Sequence, residues 1–329
     1  MFTTASRGPA RALRAFAVAA LALAATGCAS VPLFAGMAPR EIDRTWRDPD
    51  PEPPLRTVVL VSVDGLAPWV MADTETPNLD ALARNGTAAI RAETIVPSFT
   101  LPSHTSMISG VGPEIHHVDW NAWRPNRHIN VPTVFTACRH ARLRCGLVSG
   151  KRKFAHFAVE EVGVEFYQYG DEAEDVLDLA LDYIEERQPH FVMIHLAEVD
   201  VTGHIRGWGS NAQRDQIRRI DEAFGDFLED AREERGTELS VIVTADHGGE
   251  GRRHGSADER HVRIPWIAWG SGVPRGGRIP EVRTTDTAAT ILGLLGMPAP
   301  VDWAGRSHFP FYVDAETVDV GADGSGGGQ

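Results

Sequence analysis

Positive charge is in short supply in this chain. Its 329 residues carry 32 Lys and Arg against 45 Asp and Glu, a formal charge of −13, which excludes a broad electrostatic grip on a nucleic acid polymer. A small anionic substrate is still allowed where metal ions reverse the local sign. Long apolar runs are scarce as well: the one at residues 16–25 falls well short of the roughly 20 apolar residues that a membrane-spanning helix needs. Cysteine is limited to Cys28, Cys138 and Cys145. Cys138 and Cys145 could pair in an oxidising compartment, and two buried free thiols are the equal alternative. No repeat and no break in composition divides the chain. With 43% hydrophobic residues it can fill one large α/β domain or two small ones.

The apolar run has a basic start at Arg7, Arg11 and Arg14 and ends Ala25-Thr26-Gly27-Cys28, the pattern of an export signal. That ending resembles the lipobox of bacterial lipoproteins. The resemblance implies a signal peptide over residues 1–28, lipidation at Cys28 and a membrane-anchored envelope protein. Ala29 and Ser30 lack the Asp that holds such proteins at the inner membrane, so the expected place is the outer membrane, facing the periplasm. Residues 29–55, closing on Pro51-Glu52-Pro53-Pro54, read as a flexible tether. Residues 313–329 run into a Gly-Ser-Gly-Gly-Gly tail expected to be disordered. Residues 56–312 remain for the folded domain.

Within that domain, near-continuous apolar runs of strand length at 57–63, 190–196 and 239–244, with shorter ones at 145–148 and 266–269, alternate with helical patterns at 78–85, 173–187, 211–235 and 285–295. The order predicts an α/β domain with a mostly parallel central sheet and helices on both faces. Such sheets place ligands beyond the carboxyl ends of their strands. At those ends stand Asp64-Gly65, Asp200 with His204 four residues on, and Asp246-His247-Gly248. Three Asp and two His from three strands form a donor set suited to zinc. A sixth ligand is expected from His254, preferred to His261 because Gly255 lets the backbone approach a crowded centre. Thr100 and Pro102 open a helical stretch that ends near Gly110, so the Thr100 hydroxyl lies near free N–H groups and the positive helix end. That position suits a nucleophile or, more blandly, a helix cap.

Together these segments resemble the type I phosphodiesterase and nucleotide pyrophosphatase branch of the alkaline phosphatase superfamily, over residues 57–305. The resemblance implies an alkaline-phosphatase-like fold and two zinc-type metal ions. Asp64, Thr100, Asp246 and His247 would surround one ion; Asp200, His204 and His254 would hold the other. It also implies a small phosphoryl-ester substrate attacked by Thr100 through a covalent phosphothreonine. Two positions depart from the family pattern. Ser103 stands where nucleotide-cleaving members carry an Asn on the phosphoryl oxygen, leaving Ser103 or Asn121 as the candidate donor, and His195 stands where they carry a Tyr. Sulfatases of the superfamily need a Cys or Ser oxidised to formylglycine, and Thr100 cannot supply it. Phosphodiesters or nucleotide pyrophosphates are the expected substrates; alternatives are an alkaline-type phosphomonoesterase or phosphonate hydrolase, and a non-catalytic envelope binding protein. Arg152, Arg252 and Arg253 are the candidates for the extra positive charge that a monoester requires.

Overall fold

The computed structural model describes residues 56–158 and 164–309. The signal peptide, Cys28, the tether up to residue 55 and the 313–329 tail lie outside the described residues.

The strands are β1 (Thr57–Val63), β2 (Thr87–Glu93), β3 (Cys145–Ser149), β4 (Phe166–Tyr169), β5 (Phe191–Leu196), β6 (Leu239–Thr244), β7 (Arg263–Ile264), β8 (Trp266–Gly270) and β9 (Gly277–Arg283). The helices are α1 (Pro68–Met71), α2 (Pro77–Asn85), α3 (Thr100–Ser109), α4 (Pro113–His116), α5 (Val134–His140), α6 (Ala173–Arg187), α7 (Glu198–Arg206), α8 (Asn211–Arg235), α9 (Glu259–Val262) and α10 (Asp286–Leu294). The nine described strands belong to one mixed sheet in the order β4-β3-β5-β1-β6-β8-β2-β7, with β9 added on β2.

The sheet is parallel where the sequence is most apolar. β1 pairs in parallel with β5 and β6, and β3 with β5 and β4. Every residue of β1, β3, β5 and β6 is buried, as strands covered by helices on two faces must be. One helical group joins α2, α6, α7 and α8; the other joins α3, α4, α5 and α10. The far flank behaves differently: β8 runs antiparallel to β6 and to β2, and β7 antiparallel to β2. Cys138 and Cys145 are free, buried thiols.

No described helix is long and apolar enough to cross a membrane.

Candidate metal centre

Asp64 follows β1 directly, and Asp246 and His247 lie just past β6, the strand beside it. Asp200 and His204 come from the other neighbour: they sit four residues apart on α7, which starts two residues after β5, so both face the same side. The turn is tight. Gly65 has φ +75°, and a Cβ there would come within 3.0 Å of the Asp200 backbone, so only glycine lets β1 and α7 approach this closely.

The imidazoles share one orientation. His247 Nδ1 lies 2.8 Å from the Gly248 carbonyl, His254 Nδ1 2.8 Å from that of Ser98, and His204 Nδ1 3.1 Å from that of Arg252. A carbonyl only accepts, so each Nδ1 carries the proton and each Nε2 presents a lone pair. His204 and His254 then hold two such Nε2 atoms 3.1 Å apart, an arrangement that a shared cation satisfies and a direct hydrogen bond does not. Burial, then neighbouring His247, lowers the His254 pKa to about 4, which keeps it neutral, as a metal ligand must be.

The carboxylates are arranged alike. Asp64 Oδ2 accepts from Lys151 at 2.7 Å and His195 at 2.8 Å; Asp200 Oδ2 accepts from Lys151 at 2.6 Å; Asp246 Oδ1 accepts from the N–H groups of Gly65 and His247 at 3.1 and 3.0 Å. The second oxygen of each, Asp64 Oδ1, Asp200 Oδ1 and Asp246 Oδ2, is buried and receives no donor, and neither does His247 Nε2. Four buried polar atoms without partners are costly unless something cationic completes them. Asp64, Asp246 and His247 offer ligand atoms all within 4.8 Å of one another, and so do Asp200, His247 and His254. Burial opposes ionisation of Asp64, but Lys151 and His195 outweigh it and hold that carboxyl well below the usual range. Asp246 moves the other way, raised by burial and by Asp64.

Thr100 opens α3, but its side chain does not cap the helix: Phe99 is the N-cap, with no side-chain cap bond. The residue is 1% exposed, and its hydroxyl bonds to no described residue. His104 Nδ1 lies 2.8 Å from the Thr100 carbonyl and 3.6 Å from Asp246 Oδ2, which sets the start of α3 beside the buried carboxylates. Ser62 donates to His104 Nε2 at 2.8 Å, and burial lowers the His104 pKa to about 4. This histidine is a neutral bracket between helix and carboxylate.

The family profile described as Type I phosphodiesterase / nucleotide pyrophosphatase matches residues 58–155 and 151–256. The chain belongs to this family. It is 29% identical over 222 residues to human ectonucleotide pyrophosphatase/phosphodiesterase family member 7, covering 58% of this chain and 47% of that protein. It is 28% identical over 268 residues to GPI ethanolamine phosphate transferase 1 of Neurospora crassa, covering 65% of this chain and 26% of the relative. The chain thus spans about half the length, or less, of these curated relatives. In fold it is similar to murine ectonucleotide pyrophosphatase / phosphodiesterase 5, solved as an inactive variant in complex with AMP. The TM-score is 0.64 at 14% identity, over 74% of this chain and 96% of that one. A 2-O GAG sulfatase has a TM-score of 0.61 at 15% identity, over 77% of this chain and 73% of its own.

Within this phosphodiesterase-family site, the two candidate phosphoryl-oxygen donors part company. Ser103 is fully buried, with its hydroxyl 2.8 Å from that of Thr94. Asn121 lies beside the start of α3, its Oδ1 accepting the Leu101 N–H at 2.9 Å. His195 is fully buried behind Asp64, tilted against Phe154 at 4.1 Å, so it offers no open face for a base to stack on. His261 bonds Ser256 at 2.7 Å, outside the cluster. Arg152, Arg252 and Arg253 are exposed, and Arg152 lies over the Tyr169 ring. The cations that reach the centre are Lys151 and Lys153, which sequence reasoning passed over. Their signal was the place of Gly150-Lys151-Arg152-Lys153 just past β3, at the same carboxyl edge as Asp64.

Proposed function

We propose that this chain hydrolyses phosphoric esters, phosphodiesters or nucleotide-type pyrophosphates ahead of monoesters, with two divalent metal ions and Thr100 as nucleophile. The reading is carried by one observation: three imidazole Nε2 atoms and three donor-free carboxylate oxygens gather at one edge of the sheet, and Thr100, whose hydroxyl bonds to no described residue, opens the helix that His104 ties to Asp246. Asp64, Thr100, Asp246 and His247 would hold one ion and Asp200, His204 and His254 the other. The mixed N and O donors suit zinc. Bound there, the ions would supply positive charge against the phosphoryl oxygens and a lowered pKa for the nucleophile.

The chain's own residues account for the rest. Thr100 Oγ1 gives up its proton to solvent and forms a bond to phosphorus as the bond to the leaving oxygen breaks, and the released oxygen takes a proton from solvent. Water then attacks the phosphothreonine as the bond from phosphorus to Oγ1 breaks, the attacking water loses a proton to solvent and Oγ1 regains one, and two in-line displacements retain configuration. Asn121, its Oδ1 engaged, turns its NH2 group outward as the donor to a phosphoryl oxygen. Hydrolysis of an aryl phosphodiester, lost with a chelator and restored by zinc, is the expected result. A protein that binds metal and phosphate but turns over no ester would instead be the envelope binding protein.

Lipidation of Cys28 and an outer-membrane location facing the periplasm belong to the same proposal. Fatty-acid labelling should mark the wild type, and equal labelling of Cys28→Ala would refute it.

A further inference from the structure

One positive charge beside Thr100 has no counter-charge among the described residues. The loop leaving β3 enters the 3-10 helix Arg152–Phe157, whose Phe154 and Phe157 are fully buried, so the lysines on either side of Arg152 are carried on a fixed base. Lys151 turns toward the metal centre and is neutralised by Asp64 and Asp200. Lys153 meets a neutral partner instead. Its partly buried Nζ donates to Asn121 Oδ1 at 2.9 Å, and no described carboxylate lies within ion-pair distance of it. Burial, and then Lys151, lower its pKa, while Asp64, Asp246 and Asp200 raise it only from a distance.

An ammonium withdrawn from water and bonded only to a neutral amide is costly unless an anion completes it. The amide itself shows where that anion would sit. Asn121 Oδ1 takes both the Leu101 N–H and the Lys153 ammonium. Both are obligate donors, so the orientation of the amide is fixed. Its NH2 group is left over, taken by no described residue. The Lys153 ammonium and the Asn121 NH2 therefore flank the start of α3, one residue from Thr100, with an anionic partner still to come.

We propose that Lys153 is a specificity-determining residue that binds a second negative charge on the substrate, carried either by an arm of the ester or by the phosphoryl group itself. The proposal rests on the hydrolase reading above: a charge bound on the arm narrows its substrate class, and a charge bound on the phosphoryl group would reverse its ranking of diesters ahead of monoesters. Diesters with a carboxylate or phosphate arm, pyrophosphates and phosphoryl dianions are favoured over diesters with neutral arms.

Three esters sharing the 4-nitrophenyl group test it: the methyl diester, the carboxymethyl diester and the monoester. With the metal-loaded wild type, kcat/KM for at least one of the doubly charged esters should exceed that for the methyl diester by about tenfold or more. Whichever ester gains shows whether the extra charge belongs on the arm or on phosphorus. Lys153→Met should bring that ratio close to one, and Lys153→Arg should keep most of it. A ratio that Lys153→Met leaves unchanged overturns the proposal. Calorimetric binding of inorganic phosphate to the loaded protein gives a reading apart from turnover, and Lys153→Met should weaken it by about tenfold. Unchanged phosphate binding overturns the proposal as well. If the wild type cleaved no ester, the hydrolase reading would fall, and the phosphate titration would still judge Lys153.

Discussion

The two halves of the candidate metal centre are built from similar ligands on very different supports. Asp64, Asp246 and His247 are fully buried at the ends of two paired parallel strands. Asp200, His204 and His254 come from a nine-residue helix and the loop beyond β6, and the His204 side chain is 45% exposed. The first half is rigid and dry, so its orphaned oxygens weigh on the fold until a cation arrives. The second is open to solvent at His204, although the Asp200 and His254 side chains are buried, and can be emptied at lower cost through that side. On the proposed two-metal reading the centre would be asymmetric, with a deep ion that belongs to the structure and an outer ion that exchanges.

Removing the nucleophile should have the largest effect while leaving this asymmetry intact. Thr100→Ala should lower kcat by about 10⁴-fold or more, and Thr100→Ser should retain measurable turnover. Metal analysis should find both ions still present in Thr100→Ala. Acid quenching of the wild type during turnover should trap phosphate on the Thr100 peptide, and label on Ser98 or Ser103 instead would reassign the nucleophile.

The comparison itself is tested by emptying one half at a time. His204→Ala should lose one ion with a melting temperature within a few degrees of wild type, because the side chain is largely exposed. Asp246→Ala should lose an ion and also destabilise the fold, since it strips acceptors from the Gly65 and His247 N–H groups. Equal melting temperatures in the two variants would abolish the distinction.

Lys151 joins the halves, holding Asp64 and Asp200 through oxygens other than the orphaned ones. Without ions it is the nearest compensation for three buried carboxylates. Lys151→Met should therefore destabilise the chelated protein by about 3 kcal/mol, and the zinc-loaded protein by clearly less. The difference is readable in paired urea melts.

The smallest effect is expected from a carboxylate that needs no cation. Asp286 Oδ1 accepts from the Arg306 N–H, and Oδ2 from the Arg283 N–H and His308. Burial opposes ionisation, but these donors outweigh it and hold the pKa below the ordinary value. A depressed carboxyl stabilises the fold above its unfolded pKa, near 4, and loses that contribution as pH falls through the folded value. Asp286→Asn should accordingly flatten the fall in stability below about pH 4, leaving metal content unchanged.

What could be read from the sequence divides along the same line as the sheet. β1, β5 and β6 were legible because strands buried on two faces are continuous apolar runs, and the residues that follow them marked the deep half. β2 (TAAIRAE) and β9 (GRIPEVR) pair with each other at the flank and are mostly half-buried or exposed; their Ala, Arg and Glu mask a strand. α7 is absent from the helical patterns read in the sequence because Val201, Thr202 and Gly203 are weak helix formers, although its packing against α8 decides the matter. The helix around Thr100 was anticipated, but Phe99 rather than Thr100 forms its cap. Lys151 and Lys153 escaped notice because charge in a loop is usually solvated, and only the packing of Phe154 and Phe157 turns them inward.

The segment leading into Thr100 is laced to the outer half. Ser98 holds His254 through its carbonyl and the Gly255 N–H through its hydroxyl, and Phe99 packs edge-on to the His254 ring at 5.7 Å. On the proposed mechanism, capture of an ion by His254 and immobilisation of the Thr100 hydroxyl would be two ends of one equilibrium, and linkage would make their influence mutual. Scarcity of the exchangeable ion would slacken the nucleophile as well as remove a charge, while a substrate seated on Thr100 would delay that ion's escape. In an environment where free zinc fluctuates, the enzyme would respond to metal supply as a throttle, engaged most firmly when its substrate is already aboard.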